Sequence, residues 1–138
     1  ADWTQATNAI RAPGASADVG SFNSNPRELR EVGPSYRWAN PAGLAAWVAL
    51  ERTNRPVSVE HAAGVEVTWA DIEARPFPTL LIAGDADLYA PPSMYRYLKS
   101  RVPDSELFVI SEAGHSVYWE QPVTFNGVVL EFLKRRFA

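Results

Sequence analysis

Two short apolar runs near the C-terminal end constrain the fold of this chain more than any other feature. Residues 79–83, apolar from Leu80 onward, and residues 107–110 are segments of strand length, too short for a helix. Between them, Pro92 opens a segment with helical spacing, and Val102-Pro103 ends it because a residue before proline leaves the helical region. Strand, helix and strand form a βαβ unit, whose crossover makes the strands parallel. The first run also suits a strand buried on both faces.

The segments that flank this unit are predicted to be helical. Pro122 opens a final helix, and the side chains predicted on its inner face are Phe125, Val128, Val129, Phe132 and Leu133. Upstream, Asn25-Pro26 signals the start of a short helix that Gly33-Pro34 stops. The same start signal at residues 40–41 predicts a helix over 41–53, and a capping-box pattern over residues 68–71 predicts a short helix to about residue 74.

The chain therefore divides into two unequal parts. Residues 1–75 contain no convincing buried strand and are predicted to be mostly helical. Residues 76–138 carry the βαβ unit and the helix that follows it. The predicted fold class is α/β, with a βαβα unit of parallel strands preceded by a helical segment.

Composition limits the classes of function. A chain of 138 residues fits one domain, and a net charge of −3 leaves no electrostatic footprint for nucleic acid. There is no cysteine, which fits a reducing compartment, and no stretch approaches the length of a membrane span or resembles a signal peptide. We expect a cytoplasmic protein. The chain does not begin with Met, so we expect a processed, tagged or truncated product.

Each predicted strand is followed by a loop with one side chain suited to proton transfer. The first loop carries Asp87 and the second carries His115. Loops that follow parallel strands emerge at one edge of the sheet, so we expect these two side chains to lie together. A carboxylate beside an imidazole fixes its tautomer and stabilises the imidazolium. Together with Asp85 they could also supply three metal ligands, but no local pair such as H-x-x-x-H is present, and we expect no metal and no cofactor.

At this point residues 76–138 resemble the C-terminal end of an α/β-hydrolase. That family shows G-[DE]-x-D-x-x-x-P after one strand and G-H-x-x-x-x-E-x-P after the next. The matching residues here are Gly84, Asp85, Asp87 and Pro91, then Gly114, His115, Glu120 and Pro122. The resemblance implies a partial α/β-hydrolase fold in which Asp87 is the acid of a catalytic triad and His115 is the general base. Asp85 occupies the variable acidic position of the family and is the poorer candidate.

Residues 1–75 are similar to the later part of the helical cap that many members of the family insert over the active site. Aromatic side chains near the predicted site could line an apolar substrate pocket, and the candidates are Tyr89, Tyr118, Trp119 and, from the cap-like segment, Trp47. The alternative is ordinary packing of the cap on the core.

The sequence departs from the family at the nucleophile. Family members carry a G-x-S-x-G elbow upstream of the acid, and no such pentapeptide is present. The nearest string, residues 14–18, lacks the second glycine, and we reject its Ser16. Ser116 adjoins His115 and is poorly placed to bond the same ring. We therefore expect that the nucleophile half is missing from this chain.

Two functions remain open. The first is a hydrolase acting on an ester, lactone, amide or C–C bond of a small molecule, once an N-terminal half or complementary chain completes it. The second is a non-catalytic fragment or binding module that self-associates, with a homodimer expected because a two-stranded parallel unit leaves bare strand edges.

Overall fold

The centre of the fold is a parallel pair of strands, β1 (Thr79–Gly84) and β2 (Ser105–Ile110). The computed structural model describes residues 22, 24–53, 64, 67–74 and 76–137. The strands pair in register from Thr79 opposite Ser105 to Gly84 opposite Ile110. Both predicted strands and their parallel arrangement are confirmed.

The described residues form seven helices around this pair. In chain order they are α1 (Arg27–Glu31), α2 (Pro34–Ala39), α3 (Pro41–Thr53), α4 (Trp69–Glu73), α5 (Pro92–Arg101), α6 (Val117–Glu120) and α7 (Pro122–Phe137). Helix α5 is the crossover and contacts both strands, and α7 contacts β2. The α/β class and the βαβα order are confirmed.

The predicted helices are confirmed where proline or a capping box marks the first turn. Helix α3 has the predicted bounds, α5 ends at an extended Val102, and Thr68 and Asp71 form the predicted capping box of α4. Pro26 is the N-cap of α1 rather than its first residue. The sequence signals do not predict helix α2, because Gly33-Pro34 indicates a stop, whereas in the structure Pro34 is the first residue of a new helix.

The prediction that the first strand is buried on both faces is wrong. In β1 only Ala83 and Gly84 are buried, and in β2 Phe108 is 42% exposed. Parallel strands lose all contact with solvent when they lie inside a wider sheet with helices on both faces. The sheet of the described residues has two strands, and both are edge strands.

The buried core lies at the carboxyl ends of the strands rather than at their middle. Ile110, Ala113 and Val117 form a buried cluster, against which Ile82 and Phe125 pack. On α7 the inner face is built around buried Phe132, but Leu133 is 45% exposed and does not belong to it. Leu133 follows the buried position by one residue, which turns it away from the same helix face.

The basic run at the end of α7 has structural partners. Arg135 pairs with Glu106 at 2.6 Å, and Arg136 pairs with Glu106 at 3.2 Å and with Asp104. These cations lie in the last turn, where they also suit the helix dipole.

None of the helices within the described residues has the length and hydrophobicity needed to cross a bilayer. The division of the chain at residue 75 stays a prediction. Residues 14–18, including Ser16, lie outside the described residues.

Candidate active site

The loops that follow β1 and β2 leave the sheet at the same edge and are bonded to each other. The backbone N–H of Asp85 donates to the carbonyl of Ile110 at 3.0 Å, which continues the ladder beyond the strands. The N–H of Ala86 donates to the carbonyl of Ala113 at 2.9 Å. Gly84 allows this approach, because a Cβ at that position would overlap the carbonyls of the second loop. The two loops therefore hold their polar side chains side by side.

Asp87 is the carboxylate of the first loop that faces His115. It is only 5% exposed, and its Oδ1 accepts hydrogen bonds from the backbone N–H groups of Tyr89 at 2.8 Å and Ala90 at 3.0 Å. Its Oδ2 lies 2.9 Å from Nδ1 of His115. Both oxygens have partners, so the carboxylate is held in one orientation. Asp85, in contrast, is exposed.

His115 presents one nitrogen to the protein and part of its ring to solvent. Nδ1 faces Asp87, and the side chain is 44% exposed. The hydrogen bond to Asp87 raises the pKa of His115 above its ordinary value, although burial acts in the opposite direction. An imidazole with one nitrogen on a buried carboxylate is arranged to take up a proton at Nε2.

We expect the His115 ring to titrate with a midpoint above the ordinary 6.5. Because the folded chain then holds the proton more tightly than the unfolded chain, the pair stabilises the fold fully below the unfolded pKa. This contribution is lost as the pH rises through the folded midpoint. The sequence has two histidines, so NMR titration of the His61→Gln variant follows a single imidazole. A midpoint at or below 6.5 would contradict the bond to Asp87.

A second buried carboxylate, Glu120, is hydrogen-bonded to the loop that carries His115. Glu120 is 5% exposed and accepts hydrogen bonds from the N–H of Gly114 at 3.0 Å and of Gly33 at 2.8 Å. Burial raises the pKa of Glu120, whereas these N–H groups lower it. A Cβ on Gly33 would lie 2.7 Å from the Glu120 carboxylate and 2.8 Å from the backbone N of Gly114, so a larger residue would force these groups apart. The loop of His115 is thus bonded to the segment between α1 and α2.

Ser116 supplies further contacts between the same two regions. Its N–H donates to the carbonyl of Glu31 at 2.9 Å, and its Oγ accepts from Nε1 of Trp47 at 3.2 Å. Ser116 and Trp47 are both buried. The hydroxyl of Ser116 is therefore hydrogen-bonded to Trp47 of α3 and is not placed as a nucleophile.

The four predicted pocket residues lie in different surroundings. The ring of Tyr89 packs on His115, with 4.9 Å between ring centroids. Trp47 is buried and bonded to Ser116, as described above. Tyr118 is exposed and its ring contacts Phe125 on α7, and Trp119 is half-buried. Among the described residues, Tyr89 is the one of these four whose ring contacts the ring of His115.

Two further features bear on ligands. A groove of about 250 Å³ lies between β2 and α7, and its lining includes Leu80, Phe108 and Val128 but none of the predicted pocket residues. Within the described part of the chain, no group of three His, Cys, Asp or Glu side chains is placed to hold a metal ion.

The sequence did not reveal the residues that position the site from outside the two loops. The N–H of Gly33 donates to Glu120, which also accepts from Gly114, and the carbonyl of Glu31 accepts from the N–H of Ser116. Backbone groups have no residue-specific signal in a sequence. The glycine at position 33 is a signal, but in the sequence it indicates only a helix stop.

Comparison with known proteins places this chain in a family. The family model described as the alpha/beta hydrolase fold matches residues 4–122. The chain is 40% identical over 58 residues to a 2-hydroxy-6-oxononadienedioate/2-hydroxy-6-oxononatrienedioate hydrolase of a Pseudomonas species, a match that covers 42% of this chain and 20% of that protein.

Solved structures show the same fold over a longer stretch. A thermophilic esterase from Thermogutta terrifontis is 22% identical with a TM-score of 0.63, covering 99% of this chain and 53% of the esterase. An N-acyl homoserine lactone degrading enzyme is 23% identical with a TM-score of 0.60, covering 90% of this chain and 51% of the enzyme. The chain therefore spans about a fifth of the curated relative and about half of these structures.

Proposed function

Because the chain belongs to the alpha/beta hydrolase fold family, we propose that Asp87 and His115 are the acid and the general base of a hydrolase active site. One observation carries this proposal. Nδ1 of His115 lies 2.9 Å from Oδ2 of a buried Asp87, at the edge of a parallel sheet where ligands of α/β folds bind.

In this mechanism His115 removes the proton of a nucleophile through Nε2 and returns a proton to the leaving group. Asp87 keeps the other proton of the ring on Nδ1 and stabilises the imidazolium that forms. The raised pKa of His115 supports this role, because it reflects the same stabilisation of the cation by the carboxylate.

The nucleophile and the oxyanion hole are proposed to come from an N-terminal half, in a longer protein or in a complementary chain. The sequence contains no G-x-S-x-G elbow, and the chain spans about half of similar solved structures. The proposed substrate is a small molecule with an ester, lactone, amide or C–C bond to be hydrolysed. The absence of cysteine supports the cytoplasm as the proposed location.

The decisive experiment joins the N-terminal half of a family member, with its elbow, upstream of Ala1 and measures hydrolysis of p-nitrophenyl butyrate. We expect activity that His115→Ala reduces to the background of the fusion with an elbow Ser→Ala change. The matched control is His61→Ala, which replaces the only other histidine and should keep the activity. Circular dichroism of each fusion establishes that the variants compared are folded.

One observation favours a second candidate, a non-catalytic module that associates with itself. Phe108 and Val109 are exposed on β2, and the groove beside them is partly apolar. If the folded fusion hydrolyses the ester no faster than its His115→Ala variant, and light scattering shows that the original chain is a dimer, the module is supported and the catalytic proposal is rejected.

A further inference from the structure

The guanidinium of Arg30, at the end of α1, is held by two aromatic rings. Its central carbon lies 5.8 Å from the ring centroid of Phe22 and 5.7 Å from that of Tyr89. The two rings contact each other edge to face, with 5.2 Å between centroids. Such cation–π contacts orient a guanidinium without neutralising its charge.

Arg30 has no anionic partner among the described residues. Its Nε is buried and has no hydrogen-bond partner there, and no carboxylate of the described part of the chain forms an ion pair with it. The nearby acids are used by another cation, since Arg27 pairs with Glu31 at 3.5 Å and with Glu51 at 2.5 Å. A buried polar atom without a partner is uncommon and costs stability, so its retention needs a reason.

The ring of Tyr89 lies between this unpaired cation and His115, and it contacts both of them. Tyr89 contacts Arg30 through its ring, and the same ring packs on the imidazole. The backbone N–H of Tyr89 also donates to Asp87. The tyrosine therefore connects the guanidinium to both members of the acid–base pair.

We propose that Arg30 binds a carboxylate of the ligand, so that the site accepts small acyl compounds with an anionic end. The inference rests on the proposed function, since the other end of the ligand would face His115. A guanidinium supplies paired N–H donors that match the two oxygens of a carboxylate. Half-buried Arg30 combines a desolvated Nε with a side chain that still reaches the surface, and Tyr89 provides an apolar wall for the chain of the ligand.

Binding of hexanoate and hexanamide to the chain tests this, because the two compounds differ in charge but hardly in shape. The ring signals of His115 and Tyr89 are followed by NMR at a pH above the His115 midpoint, so that the imidazole is neutral. We expect hexanoate to bind at least about tenfold more tightly than hexanamide. Arg30→Met should remove that preference, and Arg30→Lys should retain only part of it.

A matched variant separates Arg30 from other cations. Arg52 is an exposed arginine of α3, and Arg52→Met should bind hexanoate as the unchanged chain does. The inference is overturned if hexanoate does not bind, if hexanamide binds equally well, or if folded Arg30→Met keeps the affinity for hexanoate. Such a failure leaves the ester assay unaffected, and loss of that assay leaves hexanoate binding measurable.

Discussion

Replacing Asp87 with Asn should lower the kcat of the completed hydrolase by about 10⁴-fold and leave the KM for p-nitrophenyl butyrate nearly unchanged. The size of the effect follows from the partners of each carboxylate oxygen. Oδ1 accepts from the N–H groups of Tyr89 and Ala90, so the carbonyl oxygen of an asparagine would take that position. Its NH₂ group would then replace Oδ2 and face Nδ1 of His115.

An NH₂ group in that position can only donate, so Nδ1 of His115 would have to accept. The proton of the neutral ring would move to Nε2, the nitrogen that must be free to act as the base. NMR of the imidazole nitrogens measures this change of tautomer directly, even in the chain without its N-terminal half. The loss of rate and the change of tautomer should appear together.

Asp85→Asn is the matched control, because it makes the same chemical change two residues away on an exposed side chain. We expect kcat within about twofold of the unchanged enzyme. Equal losses in both variants, or an Asp87→Asn enzyme with full activity, would show that Asp87 is not the acid of the triad.

Replacing Glu120 with Ala is expected to lower the free energy of unfolding by about 2–5 kcal/mol. The carboxylate accepts the N–H groups of Gly33 and Gly114, both of which are buried. Each N–H that loses its only acceptor in the protein interior costs about 1–3 kcal/mol. Urea unfolding followed by tryptophan fluorescence measures the change.

Glu120→Gln should lose less than Glu120→Ala. Oε2 lies 2.8 Å from the N of Gly33 and 3.1 Å from the N of Gly114, so one amide oxygen can accept both bonds. The amide NH₂ would then face the Gly114 N–H at the position of Oε1, donor against donor. Glu131→Ala is the control, because that glutamate is exposed on α7 and pairs only with Lys134 among the described residues. A loss for Glu120→Ala as small as that for Glu131→Ala would contradict the role of the buried carboxylate.

The sequence predicts those parts of the fold and of the site whose residues lie close together along the chain. The strands, the crossover helix and the loops of Asp87 and His115 lie within one βαβ unit, and proline, glycine and apolar runs mark each boundary. The observed contact between these two side chains follows from the parallel order of the strands. The preference for Asp87 over Asp85 came from the family motif, and the structure shows the contact with His115 at Asp87.

The contacts of the helical segment could not be predicted in the same way. The partner of Glu120 at Gly33 is a backbone N–H, and nothing in the sequence indicates which distant peptide group a buried carboxylate will bind. The burial of β1 is lower than its apolar run predicts for a related reason. An apolar run shows that a strand tolerates burial, whereas the layers that cover it depend on the rest of the sheet.

The bonds around the site also differ in the length of chain that each one closes. Asp87 and His115 are 28 residues apart, so their pairing needs only the end of the chain. Gly33 and Glu120 are 87 residues apart. Closing the longer loop costs more conformational entropy. The acid–base pair therefore closes its loop within the C-terminal unit at a lower entropic cost than the bond that joins the early helices to it.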